Sequence, residues 1–277
     1  MKRAELPLII SVAPNGAYKT KKDHAAVPIS ASEIANTAAI CLDAGASMIH
    51  LHVRNADGSH SLDPDLYRTA VRAVERAVGD KLSIQITSEA AGVYASEEQM
   101  AAIRALAPRS VSVALREIIP VGQNQTKAAE FLLWLSKQKI LPQYILYDEN
   151  DVKRYQTLVS DGIIPTTPHW VLFVIGRYSE GQQSDPEHLK PFLKASKNIS
   201  VPWAVCAFGK TELDCVLAAA TEGGHIRVGF ENNLYLRDGQ VAKGNAELIE
   251  QVANAARDSN YNMANATDFR QLFSGWG

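Results

Sequence analysis

The segment Ile49-His50-Leu51-His52-Val53-Arg54 decides how this chain is read. In an extended strand successive side chains face opposite ways, so His50 and His52 share one face and Leu51 and Val53 the other. An apolar face opposite a face of imidazoles describes a strand covered by helices on one side and turned to a polar interior on the other. A closed (β/α)₈ (TIM) barrel has that arrangement, and its chemistry gathers where the strands end.

Working outward, β-rich runs recur at 8–13, 82–87, 110–115, 144–147, 170–175, 203–207 and 226–230; with 48–54 they number eight. Segments of helical periodicity separate them and follow the last. Ser30-Ala31-Ser32-Glu33 reads as a capping box, in which the serine accepts from a free N–H and the glutamate reaches back. Ser96 to Gln99 repeats the pattern. Asp63-Pro64 puts a cap before a proline whose missing donor costs nothing at the first helical position. Gly45 and Gly162 close helices in left-handed geometry. Strict alternation of strand and helix implies parallel strands. The 277 residues accommodate one barrel, so 1–277 is expected to be a single domain, with the tail from Asp258 onward as a short C-terminal helix or arm. No Gly-x-Gly-x-x-Gly follows the first run, which argues against a dinucleotide-binding sheet.

Composition narrows the function. With 46% hydrophobic and 21% charged residues the chain is an ordinary globular one, and a net charge of −2 without a basic block excludes nucleic acid and anionic membrane as partners. No apolar stretch approaches the ~20 residues of a membrane helix. The run 6–12 is too short for a secretory leader and reads as strand. Cys41, Cys206 and Cys215, odd in number and set among apolar residues, fit buried thiols in a reducing cytoplasm. Cys206 sits late on its strand, where a nucleophile is the alternative reading.

His50 and His52, ~7 Å apart along a strand, can converge on one metal. The pair alone leaves metal ligation and hydrogen-bonded interior histidines evenly matched. The run His225-Ile226-Arg227-Val228-Gly229-Phe230-Glu231 adds to it. Ile226, Val228 and Phe230 form its outer face, which turns Arg227 and Glu231 inward with Glu231 at the mouth. A carboxylate beside two histidines there points to a divalent metal, zinc (Zn2+) first and another divalent ion second, with positions left open for substrate oxygens. An Arg227–Glu231 ion pair is the competing reading. His225 starts its strand and reads as structural; His24, His60, His169 and His188 receive no chemistry.

Wider motifs extend this reading: Asn15-Gly16-Ala17, Val27-Pro28-Ile29-Ser30, Ala44 to Arg54, Asp57-Gly58, Ile84 to Ser88, Trp203-Ala204-Val205 and Gly223 to Asn233. In these the chain resembles the β-keto acid cleavage enzyme family over nearly its whole length. The resemblance implies a (β/α)₈ barrel, zinc on His50, His52 and Glu231, and a homotetramer. It implies an exchange in which a β-keto acid and acetyl-CoA give acetoacetate and a new CoA ester. It assigns Arg227 to a carboxylate or oxyanion, and places Thr87, Ser88, Ala90 and Ser112 at substrate-binding positions. Tyr18 stands where the amino-acid-cleaving member has a glutamate for its substrate's ammonium group. A substrate without that amine is expected, neutral, hydroxylated or aromatic at its far end. Asn232 stands where that member has an aspartate implicated in proton transfer, and an amide is no general base. Asn232 then orients substrate, and Glu89, Asp148 and Glu149 are the carboxylates open to the proton-transfer role. A metal-dependent lyase or hydrolase that uses no CoA is the alternative, and a non-catalytic barrel a weaker third. Lys19, Lys21 and Lys22 read as a solvated loop rather than a CoA phosphate site, and loop 176–185 lacks the glycines expected for phosphate.

Overall fold

Alternation along the strands settles what each one covers. In chain order they are β1 (Ile10–Val12), β2 (Met48–Leu51), β3 (Val53–Arg54), β4 (His60–Ser61), β5 (Ser83–Thr87), β6 (Ser110–Ala114), β7 (Leu141–Leu146), β8 (Trp170–Ile175), β9 (Trp203–Ala207) and β10 (His225–Val228). Ile10 and Val12, Ile49 and Leu51, Val111 and Val113, and Ile226 and Val228 pack outward into one continuous apolar layer with the helices. The intervening side chains face inward. The structure, a computed structural model, describes residues 6–122 and 125–277; residues 1–5 and 123–124 of the expected domain lie outside the described residues.

Eight strands run parallel, each beside its sequence neighbour, in the order β1-β2-β5-β6-β7-β8-β9-β10, and β10 pairs back onto β1 to close a barrel. The crossovers carry α1 (Ala31–Ala44), α2 (Pro64–Val78), α3 (Ser96–Leu106), α4 (Leu115–Ile118), α5 (Thr126–Lys137), α6 (Glu149–Ser160), α7 (Leu189–Ala195) and α8 (Glu212–Thr221). α9 (Asn245–Asp258) and α10 (Ala266–Leu272) follow the last strand. The (β/α)₈ barrel expected from the sequence is the observed fold.

Two layers fill the interior. At the N-terminal end Ile9, Met48, Leu141, Trp170 and Leu172 form an apolar plug with Phe269 and Phe273 from the tail. The Trp170 ring lies 5.7 Å from Phe269 and 5.4 Å from Phe273, so the tail seals the bottom of the barrel. His225, at that end, accepts from Ile9 N at 3.2 Å and is structural. Above the plug the inward residues turn polar: His50, Gln85, Gln143 and Arg227 are all buried. Polar groups inside a barrel need partners, and their arrangement makes the mouth a site.

Several boundaries differ from the sequence reading. The run 48–54 breaks at His52: Val53 and Arg54 leave the barrel and pair antiparallel with Ser61 and His60. Asn15 stabilises the break, since its side chain donates to His52 O at 3.0 Å and accepts from His52 N at 3.3 Å. The fifth barrel strand begins at Leu141 rather than residue 144, because Pro142, a residue that usually marks a strand's edge, is carried inside it. The last strand ends at Val228. The α1 capping box is present, with Ser30 Oγ accepting from Glu33 N at 3.3 Å and Glu33 accepting from Ser30 N at 2.9 Å. At α3 the cap is Ala95, not Ser96; Glu98 accepts from Ala95 N at 2.8 Å, and alanine offers no side-chain acceptor in return.

Candidate active site

His50 and His52 reach the mouth from the end of β2, and their Nε2 atoms stand 3.2 Å apart. Glu231 arrives from the opposite side of the seam between first and last strands. Beyond Val228 the chain turns at Gly229, whose φ is 143°. A Cβ there would lie 2.4 Å from Ala13 O, so only glycine lets the turn press against the first strand. Gly229 N and Asn233 Nδ2 both donate to Glu212, each at 3.2 Å, and Phe230 N donates to Asn245 Oδ1 at 2.8 Å. Held this way, Glu231 extends inward although it is not part of the strand.

The Glu231 carboxylate divides its oxygens. Oε1 accepts from Arg227 Nη2 at 3.0 Å. Oε2 is buried without a hydrogen-bond partner and lies 3.6 Å from His50 Nε2 and 3.5 Å from His52 Nε2. Bonds of about 2.0–2.2 Å to a tetrahedral zinc put neighbouring ligand atoms roughly 3.3–3.5 Å apart. The three observed separations sit near that range, and these residues form a group able to hold a metal ion. The ion pair and the metal reading, opposed in the sequence, are compatible because each uses a different oxygen.

Charge and tautomer suit the same role. His50 Nδ1 faces Gln85 Oε1 at 2.8 Å, which puts the ring proton on Nδ1 and leaves the Nε2 lone pair free. Gln85 in turn donates to Gln143 Oε1 at 3.2 Å. Burial, with Arg227 nearby, pushes the His50 imidazole down to about 3, so it is neutral. Burial works against the charged form of Glu231, but the Arg227 guanidinium beside it prevails and holds the carboxyl well below the ordinary range.

A cavity of about 550 Å³ opens over these groups. Of the substrate-binding and catalytic positions expected from the sequence, Tyr18, Thr87 and Arg227 line it. Arg227 Nε and Nη1 are buried and unpaired, two donors held ready for an anion. Ser88, Ala90 and Ser112 are not among the lining residues. Past the end of β5 the chain bends, so strand alternation no longer aims Ser88 and Ala90: Ser88 Oγ donates to Ser112 O at 2.8 Å and Ala90 N to Glu117 Oε2 at 2.9 Å. Ser112 sits beneath Thr87, its hydroxyl 3.5 Å from Thr87 Oγ1. Asn232 is buried beside Glu231 with both amide atoms unpaired, and it too is not among the lining residues.

Among the three carboxylates open to proton transfer, Glu89 lines the cavity, with Oε2 3.9 Å from His52 Nε2. Burial raises its carboxyl above the ordinary value, opposed by His52 and Arg177. Asp148 caps α6 and pairs with Arg116, and Glu149 is exposed at the helix start. Cys206 is fully buried, its thiol pushed up by burial to about 11, and its sulfur accepts from Arg227 at 3.3 Å. A packed acceptor, not a nucleophile, is what that setting supports.

Three residues were missed in the sequence. Arg177, directly after β8, lines the cavity with its guanidinium over the rings of Tyr18 and Phe208. Its place just past a barrel strand's C-terminal end was the available signal. Lys19, read as solvated, is half-buried and donates to Glu231 O at 2.9 Å. Arg54 donates to the carbonyls of Asn15, Gly16, Lys19 and Gly58 and so fixes the loop over the site.

A family model described as beta-keto acid cleavage enzyme matches residues 7–274. The 3-keto-5-aminohexanoate cleavage enzyme of Acetoanaerobium sticklandii is 31% identical over 272 residues, covering 96% of this chain and 97% of that protein. The 3-oxoadipate:acetyl-CoA acetyltransferase of Cupriavidus necator is 26% identical, covering 96% of this chain and 94% of its own length. Among solved structures, the binary complex of ObcA with oxaloacetate superposes with a TM-score of 0.72 at 14% identity, over 90% of this chain and 67% of that one, a likeness of fold.

Proposed function

The chain belongs to the beta-keto acid cleavage enzyme family, and from that premise we propose that it exchanges the acyl group of a β-keto acid with acetyl-CoA in a zinc-dependent reaction. The products are acetoacetate and a new acyl-CoA. The observation that carries the proposal is the convergence of His50 Nε2, His52 Nε2 and the orphaned Glu231 Oε2 under an open cavity that also receives Arg227. Two imidazoles and one carboxylate are a donor set that zinc accepts while keeping a position open. His50, His52 and Glu231 would hold the metal, which would supply Lewis acidity at the keto oxygen.

The chain's own groups do the rest. Arg227, itself buried, offers two free donors where negative charge develops. Thr87 presents a hydroxyl at the end of β5 that contacts the substrate. Glu89 takes the proton from the carbon between keto group and carboxylate, the part that Asn232 cannot play. Asn232, with its amide unpaired, orients the substrate. The homotetramer implied by the resemblance and a cytoplasmic setting, which the three unpaired cysteines support, belong to the same reading.

The test is incubation of metal-replete protein with acetyl-CoA and a panel of β-keto acids, with new CoA esters read by mass spectrometry and His50→Ala run alongside. A CoA ester formed by the intact protein alone supports the exchange. Keto acid consumed without a CoA ester favours the CoA-independent lyase, the reading that Asn232 keeps in play.

A further inference from the structure

The ionisable side chains lining the cavity balance. Lys19, Arg177 and Arg227 stand against Asp23, Glu89 and Glu231, three cations and three anions. A divalent ion on His50, His52 and Glu231 leaves the cavity doubly positive, and the carboxylate of a β-keto acid offsets half of that. Resting on the reading above, we propose that the substrate is a short β-keto diacid whose second carboxylate is bound by Arg177.

Position and commitment single out Arg177. Arg227 lies at the base of the site against Glu231 and Cys206, and Lys19 is engaged with the Glu231 carbonyl. Arg177 lines the same cavity, its guanidinium 4.9 Å from the Tyr18 ring centre and 5.3 Å from that of Phe208. Aromatic faces grip a guanidinium through its plane and leave the edge donors free for a carboxylate. Glu89 comes no nearer than 3.6 Å from Nη2, longer than a hydrogen bond, and the Tyr18 hydroxyl takes part of the fork, which leaves the remaining donors for a carboxylate.

The loop that carries Arg177 is tied down before any ligand arrives. Ser179 Oγ donates to Gly176 O at 2.9 Å, Ser184 Oγ to Ile175 O at 3.0 Å, and Thr211 Oγ1 to Ser184 O at 2.6 Å. A fork fixed in advance gives selectivity at low ordering cost.

The reach is short as well. One carboxylate spans from Arg177 to His52: Glu89 Oε1 is 3.6 Å from the former and Oε2 3.9 Å from the latter. A distal carboxylate a few carbons beyond the keto group bridges that gap; a long acyl chain overshoots it. Tyr18, in place of a glutamate, supplies the ring that seats Arg177 and adds no anion to compete with the substrate's, so the far end, expected from the sequence to be neutral, hydroxylated or aromatic, is anionic in this proposal.

Calorimetric titration of metal-replete protein without acetyl-CoA tests this. The probes are a short straight-chain 3-oxo diacid and its mono-methyl ester at the distal carboxyl. Wild type is expected to bind the diacid about tenfold to a hundredfold more tightly, as a charged hydrogen-bonded pair warrants. Arg177→Gln is expected to bring the two affinities together with metal content and unfolding midpoint unchanged, and Arg177→Lys to keep part of the preference. Equal binding by wild type, or a preference that survives in Arg177→Gln, overturns the proposal. So does a variant that loses affinity for acetyl-CoA while keeping its preference for the diacid, which places Arg177 on the CoA phosphates. The titration involves no acyl exchange, so a failure of the exchange reading and a failure of the Arg177 assignment are separate results.

Discussion

Gly16 and Glu231 approach so closely that a Cβ added at residue 16 would stand 2.6 Å from Glu231 Cγ. The loop after the first strand therefore sets the position of a carboxylate carried by the turn after the last. Gly16 also has φ 62°, a conformation that a side chain strains. Gly16→Ala is expected to displace the carboxylate and weaken zinc retention by about tenfold to a hundredfold, the range for groups that orient ligands. Competition with a chromophoric chelator measures it; unchanged affinity would mean that Glu231 does not hold the ion.

Gln85 fixes the tautomer of His50 from below, through the 2.8 Å contact at Nδ1. Gln85→Leu removes that acceptor and leaves Gln143 Oε1 without its donor. Zinc affinity is expected to fall about tenfold to a hundredfold while far-ultraviolet circular dichroism stays unchanged. A variant that binds zinc as wild type does would show that the ring is oriented by packing alone.

Glu212 lies fully buried behind the turn that carries Glu231, and burial pushes its carboxyl up to about 8 from an ordinary 4.5, with Asn233 and Gly229 opposing. A value higher in the folded than in the unfolded state means the fold retains a proton that the unfolded chain releases. The contribution is fully present below about pH 4.5 and is lost as pH rises through about 8, on the order of a few kcal/mol. Melting temperatures of wild type are expected to fall more steeply over this window than those of Glu212→Gln. Parallel curves would refute the assignment.

Phe269 closes the bottom of the barrel against Trp170, its ring centre 5.7 Å away. Phe269→Ala leaves a cavity in the apolar plug and is expected to cost about 3–5 kcal/mol in denaturant unfolding. Loss below about 1 kcal/mol would mean the tail is a loose arm and not part of the core.

How much of this the sequence disclosed depended on how local the signal was. Strand periodicity at Ile49–Arg54 and Ile226–Phe230 is local, and it is enough to turn His50, His52, Arg227 and Glu231 inward. The barrel followed from the repetition of such runs. Boundaries moved where a distant residue intervened: Asn15 breaks the second strand at His52, and Ala13 meets Gly229 where the last strand gives way to a turn. Ser88 and Ala90 were extrapolated past a strand end, where alternation has no force. Arg177 and Lys19 sit in loops whose course is set by contacts remote in sequence, including Arg54 over residues 15–19. Their charges were visible; their direction was not.

Acetyl-CoA with both acetyl carbons isotopically labelled, incubated with enzyme and a 3-oxo diacid, gives the most direct reading. Label is expected in the keto and methyl carbons of acetoacetate, with an unlabelled acyl group on the new CoA ester and neither product formed by His50→Ala. Label that stays in acetyl-CoA while the diacid disappears would contradict the exchange.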